Sequence, residues 1–194
     1  MQKFLDWLER VLTPLAKVIG ENKYLVAIRD GFLLSTPLLI VGSVFLLIAN
    51  FPLPQWDTWM SHLLGKDWAT MMSVPASASF DVMTILAVVG IAYSLGKQFN
   101  VDAMQAGIIA LVSFFIVTPY QTLFTPENSS KVYEVTSLPL KWMGSSGLFL
   151  GMIVALIATR LFVAIVRKGW TIKMPEGVPP TVVKSFEALI PSFL

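Results

Sequence analysis

Uncharged apolar runs and short polar breaks alternate along this chain. Residues 31–50 (GFLLSTPLLIVGSVFLLIAN) are 20 consecutive uncharged positions. At about 1.5 Å per residue a helix of that length covers ~30 Å, the thickness of a bilayer hydrocarbon core. Pro37 falls early in the run, where a kink is tolerated if neighbouring groups satisfy the freed carbonyl. Further runs predict transmembrane helices over 79–97, with Asp81 near the start, over 103–124, and over 142–166, interrupted only by Arg160. The expected architecture is an all-α integral membrane protein with four spans.

The two ends carry different patterns. Over residues 1–29, Phe4, Leu5, Trp7, Leu8, Val11, Leu12, Leu15, Val18 and Ile19 share one helical face; Asp6, Glu9, Arg10, Thr13 and Lys17 share the other. That division suits a helix lying in the membrane interface, and equally one docked on protein. Pro14 is expected to kink it near Arg10. Nine charges among the first 30 residues do not read as a cleavable signal, which needs a smooth apolar core. After Lys168 a polar, proline-rich stretch leads to TVVKSFEALIPSFL. Pro179 and Pro180 suit a helix start, so 179–194 is expected to open a fifth helix that ends too soon to span.

Charge fixes an orientation. Lys3, Arg10, Lys17, Lys23 and Arg29 precede the first span, and Arg160, Arg167, Lys168, Lys173 and Lys184 close the chain. With both termini and the Lys97 connection in the cytoplasm, only Lys66, Lys131 and Lys141 lie outside, a strong positive-inside asymmetry. Trp56, Trp59, Trp68 and Trp142 then fall in or beside the two outer loops, where an interfacial aromatic belt is expected. Composition agrees: 55% hydrophobic and 13% charged residues, with a mean hydropathy of +0.71, against about 25% charged in soluble domains. A net charge of +2 without a basic stripe does not suggest a nucleic-acid partner, and none is expected. The absence of cysteine excludes disulfides and thiolate metal sites, and a single histidine argues against an imidazole cluster. No metal or cofactor is expected.

Few residues offer chemistry. Asp81 is the one acid within a predicted span, either a ligand for a proton or substrate or a first-turn residue of a helix capped by Ser79. Arg160 either holds an anionic partner or sends its stem toward cytoplasmic headgroups. Gly147, Gly151 and Ala155, four apart, permit a close helix approach, within one chain or between two copies. His62 reads as a solvated loop residue, and Asn128-Ser129-Ser130 as a chance match to a glycosylation acceptor. No paired carboxylates or nucleophile–base set appear, which argues against an intramembrane enzyme.

Three segments in order resemble one family. These are FLDWLERVLTPLAKVIGENKYLVAIRDGFLLSTPLLIVGSVFLLIANFP, GIAYSLGKQFNVDAMQAGIIALVSF and MPEGVPPTVVKSFEALIP. They resemble the membrane IIC components of the phosphoenolpyruvate-dependent sugar phosphotransferase system, most of all the lactose/cellobiose/diacetylchitobiose group. The resemblance implies a disaccharide permease whose cargo is phosphorylated by a cytoplasmic IIB partner recharged by IIA. It also implies an amino-terminal half that is a dimerising scaffold embedded in lipid. The family's sugar-binding His and Glu belong to the later half, and neither His62 nor any Glu of this chain matches them. Residues 1–194 are therefore expected to be a homodimerising part that does not transport alone. The rival reading is a complete small solute-binding subunit of an importer.

Overall fold

A computed structural model describes the chain except residues 1–9, 11, 14–16, 18, 127–130, 173, 176 and 194 and the side chains of 180, 181 and 184. The amino-terminal apolar face therefore lies largely outside the described residues, as do Pro14 and Asn128; Arg10, Leu12, Thr13, Lys17 and 19–21 are helical.

The first long helix, α1, is Lys23–Ala49, and it starts earlier than the expected 31. Asn22 caps it, its Oδ1 accepting the Tyr24 and Leu25 N–H groups at 3.0 and 3.3 Å. Arg29 and Asp30 pair with each other at 2.8 Å on its surface, so neither charge ends the helix. Around Pro37, the Ser35 and Thr36 hydroxyls donate to the Gly31 and Phe32 carbonyls one turn back.

The region 51–78, expected as an outer loop, is largely helical. It contains α2 (Trp56–Leu64) and α3 (Trp68–Phe80). After Lys66 and Asp67 the stretch 68–80 carries no charge. α4 (Met83–Gln98) follows α3 after a break at Asp81 and Val82. Ser79 does not cap a new helix: its Oγ donates back to the Pro75 carbonyl at 2.9 Å within α3. Of the tryptophans assigned to an interfacial belt, Trp68 is instead buried, 2% exposed, with Nε1 donating to Asp57 at 3.0 Å. Trp59 is exposed, and Trp56 donates to the Ile48 carbonyl at 2.7 Å.

The third apolar run does not remain helical to 124. α5 (Ala103–Val117) stops where Pro119 withdraws its N–H from the helical ladder. The next residues form a hairpin of β1 (Gln121–Phe124) and β2 (Tyr133–Thr136), antiparallel, with Gln121 opposite Thr136 and Phe124 opposite Tyr133. The elements among the described residues are otherwise helical, in keeping with the expected class, and this hairpin was not expected. Lack of charge in QTLF imitated more span, while its aromatic and β-branched residues suit a strand. The last predicted span also starts later than 142. A turn of helix, α6 (Leu140–Met143), and a 3-10 turn at Ser145–Gly147 precede α7 (Leu148–Arg167). The tail is helical from Pro180, as α8 (Pro180–Glu187) and α9 (Leu189–Phe193), the latter against α7.

α4 is the centre of the bundle, packed by α1, α5 and α7. Nine of its 16 residues are buried, among them Val88, Ile91, Ala92 and Leu95. Glycines set how near its neighbours lie. A Cβ on Gly90 would sit 2.5 Å from the Gly31 carbonyl oxygen, and one on Gly31 would meet the Ile91 backbone. Gly42 likewise admits Ser79 of α3 at 2.7 Å from where its Cβ would be. Around this core, Leu33, Leu38, Val41, Ile108, Ile116 and Phe149 are all more than half exposed. In water such a surface would aggregate; in acyl chains it is ordinary.

Because the obstacle at Gly90 is backbone, a side chain there must push α1 away. Overpacking costs about 1–3 kcal/mol even where side chains can give. Gly90→Val is expected to lower the thermal midpoint of the detergent-solubilised chain clearly. Gly20→Ala, with open space around the site, is expected to leave it unchanged or raise it. Tryptophan-fluorescence melting compares the two.

Candidate functional site

Polar groups gather at the two ends of α4. At its start, the break after α3 turns Asp81 toward a cleft of about 340 Å³, lined also by Phe80, Lys141, Ser145 and Ser146. The far wall is the α6–α7 corner, held by one buried hydrogen bond: Thr84 Oγ1 donates to the Gly144 carbonyl at 2.5 Å. Thr84 is fully buried. Gly144 lies close against the break, its absent Cβ only 3.3 Å from the Phe80 carbonyl oxygen. The cleft thus joins a carboxylate, an ammonium, two hydroxyls and an aromatic face, groups able to bind a polyhydroxylated solute. Asp81 ends α3, where its N–H bonds the Ser77 carbonyl at 2.9 Å, rather than sitting in the first turn of a helix capped by Ser79.

Gly147, Gly151 and Ala155 are used inside the chain. A Cβ at Gly151 would lie 2.7 Å from Thr84 Cγ2 and 2.8 Å from Val88 Cγ2. Ala155 is fully buried in the cluster with Val88 and Phe114, and Gly147 is closed off by the Trp142 carbonyl. The small-residue stripe therefore seats α7 on α4. The opposite face of α7 carries an exposed apolar ridge four residues apart, Phe149, Ile153, Ile157 and Leu161.

At the other end of α4 a glycine-free reversal presents Phe99. The Asn100 N–H bonds the Lys97 carbonyl and the Val101 N–H the Gly96 carbonyl, both at 3.1 Å, while Asn100 takes φ +57°. This is the Schellman arrangement, with asparagine tolerating the left-handed position. Three cations from two other helices converge on the Phe99 ring: Lys23 Nζ at 4.9 Å, Arg160 Cζ at 5.1 Å and Arg167 Cζ at 5.3 Å. Lys23 also donates to the Gln98 carbonyl at 3.2 Å, and Arg167 to the Phe99 carbonyl at 3.1 Å. Arg160 is thus one member of a cluster. Sequence reading weighed an anionic partner or the headgroups for Arg160 and overlooked Phe99. His62 is exposed on α2, and among the described residues no three His, Cys, Asp or Glu side chains form a metal-binding group.

The geometry first defines a class. Among the described residues three helical segments, Lys23–Ala49, Trp68–Gln98 and Ser145–Arg167, are long and apolar enough to cross a bilayer, and Ala103–Val117 is a shorter apolar helix beside them. With the exposed apolar exterior, this is a helical membrane protein. Residues 29–194 match the family described as phosphotransferase system, EIIC, and the chain belongs to that family. It is 43% identical over 98% of its length to the cellobiose-specific EIIC component of Geobacillus stearothermophilus, and 42% identical over its full length to the lichenan permease IIC component of Bacillus subtilis (strain 168). In each case it covers 43% of the relative. The crystal structure of the transporter ChbC, the IIC component of the N,N'-diacetylchitobiose-specific phosphotransferase system, superposes with a TM-score of 0.89 at 43% identity. That match covers 96% of this chain and 44% of ChbC. The chain thus spans rather less than half the length of these relatives.

Thr84→Val keeps the shape of the side chain and removes one of the two donors to the Gly144 carbonyl. The Gly144 carbonyl still accepts from the Gly147 N–H at 3.2 Å, so the loss is that of one hydrogen bond, about 0.5–1.5 kcal/mol. The variant is expected to melt earlier by that equivalent in chemical or thermal unfolding, whereas Ser146→Ala at the cleft rim is expected to change stability little.

Proposed function

We propose that this chain is the amino-terminal, lipid-embedded scaffold of a permease for a disaccharide such as cellobiose, diacetylchitobiose or lactose. The observation that carries the reading is the likeness, near 43% identity along almost the whole chain, to both cellobiose- and diacetylchitobiose-specific IIC components. A cytoplasmic IIB partner, recharged by IIA, phosphorylates the sugar while the complete permease holds it. The product's charge then opposes its return through the apolar membrane. In this reading the scaffold pairs with a second copy through apolar surface other than Gly147, Gly151 and Ala155, which face inward.

By themselves these 194 residues do not transport. Among the described residues the polar cleft at Asp81 is an open surface feature rather than an enclosed chamber. In cells supplying cellobiose IIA and IIB, the chain alone is expected to give no phosphorylated cellobiose. A chimaera joining it to the remaining residues of the Geobacillus relative is expected to accumulate the phosphorylated sugar. Uptake by the chain alone, or a correctly inserted but inactive chimaera, would sink the proposal.

The basic residues support a bacterial plasma-membrane location with both termini cytoplasmic. Because the chain has no cysteine, single replacements report sidedness. Cysteine at Lys66 or Ser137 is expected to react with an impermeant maleimide in intact cells, and cysteine at Lys168 only after permeabilisation.

A further inference from the structure

Arg160 lies seven residues before the end of α7, about 10 Å deeper along the helix axis than Arg167. A cation at that depth is costly unless something neutralises it. The ion pairs seen among the described residues, Lys17–Glu21 and Arg29–Asp30, do not involve Lys23, Arg160 or Arg167. Asp102, three residues after Phe99, caps α5 by accepting the Gln105 N–H at 3.1 Å. The three cations all lie within 5.3 Å of one ring centroid, so each pair is within about 10 Å, a Debye length at 0.1 M salt. Mutual repulsion therefore survives, and the Phe99 quadrupole offsets only part of it.

Directly beside this cluster runs a groove of about 310 Å³ between the start of α1 and the last turns of α7. Its walls are Tyr24, Leu156, Ile157, Arg160 and Leu161, and no polar surface lines it. Ile157 and Leu161 are more than half exposed, on the face turned away from α4. An apolar slot ending in converging cations has the complementary form of one molecule: an acyl chain joined to an anionic headgroup. A phosphorylated protein would match the cations but would leave the slot, which faces the bilayer, unused.

We propose that the α1–α7 groove holds one anionic glycerophospholipid, with its phosphate drawn by Lys23, Arg160 and Arg167 and an acyl chain along Ile157 and Leu161. Basic pockets between membrane helices favour such headgroups through charge, and the guanidinium fork suits phosphate oxygens. The bound lipid neutralises Arg160 at its depth and ties α1 to α7 around the Phe99 reversal. This site is independent of the sugar assignment, since it requires only that α1 and α7 lie in a bilayer.

The test is native mass spectrometry of the detergent-purified full chain, offered phosphatidylglycerol or phosphatidylcholine with identical acyl chains, and glycerol phosphate without them. One phosphatidylglycerol is expected to be retained in preference to phosphatidylcholine by about tenfold or more. Arg160→Gln with Lys23→Gln is expected to abolish that preference. Ile157→Trp, which fills the slot and leaves every cation in place, is expected to reduce retention of both lipids. A wild-type melting temperature for Ile157→Trp separates loss of the site from loss of the fold. Equal retention of the two phospholipids would overturn the proposal, as would glycerol phosphate binding as tightly as the lipid. So would unchanged retention in both variants, including the case where they lose only the binding of a phosphorylated IIB protein.

Discussion

The close crossing of α1 over α4 at Gly31 and Gly90 sets the geometry on which the remaining packing depends. In lipid, apolar side chains gain little by leaving their solvent, so helices associate through fit. Two facing glycines bring the backbones within reach of each other, with no room for a Cβ on either. With α1 fixed there, Gly42 can receive Ser79 and hold α3, while Gly151 seats α7 against Thr84 and Val88 on another side of α4. α5 closes the bundle through Gly96 and Ala106, whose absent and actual Cβ atoms lie 3.2 Å apart. Small residues thus decide which helices touch, and large apolar ones cover the outside.

Burying α4 so completely leaves polar groups at its two ends, where they do different things. At the start, the break between α3 and α4 frees Asp81, and the Thr84–Gly144 bond holds the opposite wall of its cleft. At the finish, a reversal without glycine places one aromatic ring among three cations from α1 and α7. Carbohydrate-compatible groups therefore sit at one end and anion-compatible groups at the other.

Much was legible along the chain because charge is nearly forbidden in lipid and so marks its limits. The uncharged run 31–50, the basic residues at both ends and the three family-like segments pointed to the membrane and to the EIIC family, which the match over residues 29–194 establishes. Boundaries were less legible, because lack of charge says where a segment resides and not what backbone it adopts. Hence QTLF, read as helix, is a strand after Pro119, and 68–78, read as loop, is helix. Arg29 and Asp30, read as the edge of a span, pair with each other inside α1.

Composition and periodicity determined the solvent, the broad helical class and which residues were candidates: Asp81, Arg160, Gly147, Gly151 and Ala155. Only the tertiary structure decided what each of them meets. The small-residue stripe could have faced a second copy, but Thr84 and Val88 occupy it. Arg160 could have stood alone, but Lys23, more than 130 positions away in the chain, shares its aromatic partner. The physical reason is that hydropathy acts on each residue through its solvent, whereas pairing depends on how separate helices pack, and no local pattern encodes that.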